Sequence, residues 1–108
     1  MARNIPELRE ICEGYRQDDQ SDEKTTVVNE FISILKKGGG GNFSDFCLLW
    51  RLSDKKQKQK LLPIAISKAD CSSDIEEIVW RYCPAREGRL YKKLMAKKKK
   101  LPQDAYYD

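Results

Sequence analysis

The 108-residue sequence contains no histidine. That absence removes Ser-His-Asp and Cys-His nucleophilic arrangements, and every metal site that requires imidazole. Carboxylates and lysines remain available for proton transfer, but no spacing singles out a pair. No catalytic residue is assigned, and a non-enzymatic protein is expected. Long apolar runs are also missing: none approaches the roughly 18 residues of a bilayer-spanning helix. The start, Met1-Ala2-Arg3-Asn4, lacks an apolar secretory core, and Ala2 stands where myristoylation needs glycine. The expectation is an intracellular protein, neither secreted nor transmembrane. Cysteine is sparse, with Cys12, Cys47, Cys71 and Cys83 and no C-x-x-C. Structural zinc normally takes two close-spaced ligand pairs, so the thiols are expected to be reduced and metal-free, mostly as small apolar residues on helix faces. No cofactor is called for.

What the chain has in quantity is charge. Charged residues make up 35% of it, 21 basic against 17 acidic, and the net +4 conceals a polarity. Residues 1–35 hold four basic and eight acidic side chains, whereas residues 85–101 hold eight basic ones and only Glu87. Such asymmetry bears on partners and encounter rates rather than on fold. A basic end suits phosphate, an acidic protein or an anionic membrane, and the acidic N-terminal third offers a contact for the basic end of a second copy.

Apolar periodicity is helical almost throughout, and no segment alternates as a strand. Ile5, Leu8, Cys12 and Tyr15 recur at three- and four-residue steps. Ser21-Asp22-Glu23 supplies a cap and acids for a second helix with Val28, Phe31, Ile32 and Leu35 on one face. The run Gly38–Gly41 stops it and reads as a flexible connector, since the G-K-[ST] ending of a phosphate loop is absent. Ser44-Asp45 is expected to cap a third helix, whose Phe46, Leu49 and Trp50 should form the middle of the core. Pro63 predicts a kink, or two short helices meeting near Leu62. Ser73-Asp74-Ile75-Glu76 fits a capping box ahead of Ile75, Ile78, Val79 and Tyr82. A last helix is expected from Arg86 or Arg89 to Lys100, stopped by Pro102. The fold class read from these signals is all-α, a single compact bundle of five or six short helices packed orthogonally. Residues 1–101 form the expected helical domain and 102–108 a flexible C-terminal tail.

The last helix is the most informative segment. On a helical wheel Arg86, Arg89, Lys93, Lys97 and Lys100 fall within an arc of about 80°, beside Leu90, Leu94 and Leu101. With Lys92, Lys98 and Lys99 they are the candidate nucleic-acid-binding residues, contacting backbone phosphates of RNA or DNA. Lys55, Lys56, Lys58 and Lys60 form a possible second basic contact. Lys97-Lys98-Lys99-Lys100-Leu101-Pro102 also fits a short nuclear-import signal read by an import receptor. A basic amphipathic helix can instead lie on anionic lipid. Trp50 and Trp80 each precede an arginine and could stack on bases, but both sit among apolar residues at helical spacing and are assigned to the core. Tyr106 and Tyr107 are candidate phosphorylation or docking residues in an exposed tail. Asp18, Asp19, Asp22 and Glu23 lack EF-hand spacing.

A compact basic helical domain with a lysine-rich exit resembles small viral matrix and regulatory proteins in general build. No motif carries that likeness, and no residue roles are taken from it. The expected function is a non-enzymatic basic helical module that holds nucleic-acid phosphates. The alternative is a helical adaptor docking on an acidic protein or an anionic membrane surface.

Overall fold

The computed structural model describes residues 3–38 and 40–103. Six helices occupy them, and no strand occurs among the described residues: α1 (Ile5–Glu13), α2 (Asp22–Lys36), α3 (Phe43–Leu52), α4 (Lys55–Lys68), α5 (Ser72–Tyr82) and α6 (Arg89–Lys100). None is long and apolar enough to cross a membrane. The chain divides into two compact units, residues 1–64 and 65–108, with the boundary inside α4.

In the first unit, α1 begins where Asn4 Oδ1 accepts from the Glu7 amide at 2.9 Å, and Pro6 sits in the first turn, where its missing N–H is no loss. Ser21 caps α2 as its sequence predicts. The cap of α3 differs from expectation. Asn42, rather than Ser44, accepts from the Asp45 amide at 3.1 Å, and Asp45 reaches back to the Asn42 amide at 3.0 Å. Helix α3 therefore starts one residue before Ser44, and Ser44 only donates to Asn42 Oδ1. Leu8, Val28, Phe31, Phe46, Leu49 and Leu61 are fully buried, each side chain contributing roughly 1.5–3 kcal/mol by leaving water.

Trp50 is only half-buried, so Phe46 and Leu49 hold the core position that the sequence assigned to all three. Three polar residues are buried with that core: Asp45, Lys24 and Gln57. Lys24 donates from Nζ to the carbonyls of Gln17 and Asp19, both at 2.9 Å, and so ties the loop before α2 to the helix. Gln57 exchanges cap hydrogen bonds with Asp54 and donates from Nε2 to Thr25 O and Asn29 Oδ1.

Pro63 does not divide α4, which is continuous from Lys55 to Lys68. The carbonyl deprived of a donor belongs to Gln59. Both Gln59 and Pro63 are exposed, so water can satisfy what the proline cannot.

In the second unit, α5 begins at Ser72, with Cys71 as a cap that makes no side-chain hydrogen bond. The expected Ser73–Glu76 capping box is absent because both residues already lie within the helix. Ile75, Ile78 and Val79 are buried, and Pro84 follows the helix end at Tyr82. A turn containing Arg86, at φ 58°, and Gly88, at φ 97°, leads into α6. The Ser72 amide donates to Pro102 O at 2.9 Å, so α5 and α6 run antiparallel, the start of one beside the end of the other.

Candidate nucleic-acid interface

Helix α6 carries seven cations and no acid in twelve residues. Leu94 is its buried anchor, with Leu90, Tyr91 and Met95 half-buried to either side. The structure then sorts the eight candidate cations into two sets. Arg89, Lys92, Lys93, Lys99 and Lys100 are exposed and make no ion pair among the described residues. On the wheel they span an arc of about 120°, from Lys99 through Lys92, Arg89 and Lys100 to Lys93. That arc is wider than the predicted stripe and is displaced from it, away from Lys97.

The other three are engaged inside the second unit. Arg86 lies in the turn before α6, outside the helical stripe, and donates to the Glu76 carboxylate at 3.0 and 3.4 Å. Lys98 Nζ donates to Glu76 Oε1 at 2.5 Å, and Lys97 Nζ donates to the carbonyl of Ile66. Glu76 is therefore the residue that sequence reasoning missed. The hydrogen bond from Arg86, then the one from Lys98, holds its carboxyl down at about 2. The signal available was an acid on α5 facing an otherwise uniformly basic segment. The lysine run 97–100 is helical to its end.

The second cluster also divides. Lys55, Lys56 and Lys60 are exposed, while the Lys58 ammonium stands 4.0 Å above the centre of the Trp50 ring. Trp80, assigned to the core by its apolar neighbours, is 66% exposed. The wheel explains the difference. Trp80 falls about 140° from Ile75, between Glu76 and Glu77, on the outer side of α5. Tyr106 and Tyr107 lie outside the described residues.

Two other places gather polar side chains. In the first unit, a polar cleft of about 180 Å³ is lined by Asp19, Lys24, Asp54 and Gln57 among others, and the Lys24 ammonium there already holds two carbonyls. In the second unit, ligand atoms of Asp70, Cys71 and Asp74 lie within 4.8 Å of one another. Burial raises the Asp74 carboxyl above its ordinary value, against the hydrogen bond it accepts from the Asp70 amide. The four thiols are free. Cys12 is fully buried, which pushes it up to about 11. Comparison of the chain with protein-family models, curated proteins and solved structures gives no match.

Proposed function

We propose that this protein is a non-enzymatic binding module that holds nucleic-acid phosphates on α6 through Arg89, Lys92, Lys93, Lys99 and Lys100. The observation that carries the reading is the five exposed cations on one arc of a helix without a single acid. Their axial span, from Arg89 to Lys100, is about 17 Å, enough to follow several successive phosphates. Cations presented this way bind by releasing condensed counterions, and they read charge and spacing rather than base edges. Lys55, Lys56 and Lys60 are available as a further backbone contact.

The test is fluorescence anisotropy of labelled RNA and DNA across a salt series. Affinity should fall steeply with salt, by a log-log slope of about 0.9 per duplex phosphate neutralised, and should be nearly blind to sequence. A parent protein without measurable affinity for either polymer at low salt refutes the reading.

A further inference from the structure

Among the described residues Trp80 is the one large apolar side chain left exposed. A cation lies beside it. The Arg81 guanidinium lies 5.2 Å from the indole centre and also pairs with Glu77. Glu76 precedes Trp80 by one turn, and residues four apart share a helix face. On that face Glu76 binds Arg86 and Lys98, and Arg86 stands 5.2 Å from the centre of the Tyr91 ring.

Because α5 and α6 are antiparallel, passing from Glu76 to Trp80 moves along α6 from Lys98 towards Tyr91. Trp80 is thus placed on the flank of α5 that Glu76 shares with its partners Arg86 and Lys98. Continuing around α6, Lys99 and Lys92 follow at about 80° and 100° beyond Tyr91, and both are exposed.

We propose that Trp80 stacks on a nucleobase and that this face takes a single strand, with its phosphates running along Lys92 and Lys99. The proposal rests on the phosphate-binding reading of α6 and adds the class of nucleic acid. A duplex keeps the faces of its bases covered, whereas a single strand can offer one to an indole while its backbone tracks a row of cations. Charge favours a polyanion over a protein partner here. The nearby acids on α5 are already matched, Glu76 by Arg86 and Lys98, and Glu77 by Arg81.

The experiment compares the full chain with Trp80→Ala, Trp80→Phe and Lys92→Gln/Lys99→Gln. Ligands are a labelled oligothymidylate of about 12 nucleotides, within the range of known single-strand sites, and a duplex of the same total charge. Trp80→Ala should weaken single-strand binding about 5- to 150-fold, the loss of one base stack, and leave duplex binding little changed. Trp80→Phe should retain most of the affinity, and both variants should melt with the parent. Unchanged single-strand binding in Trp80→Ala, while the lysine variant is weakened, overturns the stacking proposal and leaves the phosphate reading standing. No binding of either ligand by the parent overturns both. An equal loss on the two ligands, or a lower melting point, also overturns stacking, because the indole then acts through packing. So does a blue shift of tryptophan emission on phosphatidylserine vesicles with no response to the oligonucleotide.

Discussion

Gly41 shows how much a single position in a glycine run can matter. Its φ is +86°, and a Cβ there would overlap Leu35 Cδ2 and come within 3.2 Å of Asp45 Oδ2. Leu35 and Asp45 are both buried and have little room to yield. Gly38 has a φ of +78° but open space around its Cα. Gly38→Ala should therefore cost only backbone strain, about 1 kcal/mol. Gly41→Ala should cost more, roughly 2–3 kcal/mol once overpacking is added. Urea denaturation of the two variants checks the order, and equal losses would remove the close packing. Asp45 is the partner that makes this corner rigid. It is 1% exposed and accepts from Arg9 Nε at 2.6 Å and Nη2 at 2.9 Å as well as from the Asn42 amide. Asp45→Ala should lose about 3 kcal/mol in the same measurement, since it removes both an ion pair and a cap. A loss below that of an ordinary surface substitution would contradict the role.

At the scale of the helix, the α5–α6 pair is held by burial of Ile75, Ile78, Val79 and Leu94 and by the cations gathered on Glu76. Glu76 ordinarily titrates near 4.5 and is held at about 2 in the folded chain. A carboxylate depressed by folding adds stability that is fully present above its unfolded value. That stability is lost as pH falls from about 4.5 through about 2. Because Glu76 is 37% exposed, solvent screening limits the contribution to about 1 kcal/mol. Glu76→Gln should melt below the parent at neutral pH, and the gap should close as pH falls through that window. A gap independent of pH would mean that the ion pairs do not stabilise the hairpin. The helices themselves were legible because their apolar spacing agrees with the boundary signals: the Ser21 cap at a start, and the glycine run and Pro102 at ends. What was not legible depended on neighbours distant in sequence. Asn42 displaced Ser44 as a cap because Asp45 answered it, and the Ser73–Glu76 box did not form because α5 had already begun at Ser72. Pro63 was tolerated inside α4 because its side of the helix is wet. The wheel position of Trp80 was readable, but apolar neighbours in sequence outweighed it.

For the whole molecule, the net charge of +4 is a poor guide to behaviour, since α6 alone contributes seven cations. The basic end was plain in the sequence; which of its side chains are available was not, because that depends on Glu76 and on the Ile66 carbonyl. The most direct measurement compares two variants that each remove two charges from α6, Lys92→Gln/Lys99→Gln and Lys97→Gln/Lys98→Gln, by melting and by anisotropy with RNA and DNA across a salt series. The first pair should melt with the parent, bind more weakly, and give a log-log salt slope shallower by about 1.8 for duplex DNA, two contacts at 0.9 each. The second pair should melt lower, having lost the Glu76 and Ile66 contacts, and should bind more tightly than the first. Equal losses of affinity from both pairs would contradict the account, because charge density alone, rather than one exposed face of α6, would then govern binding.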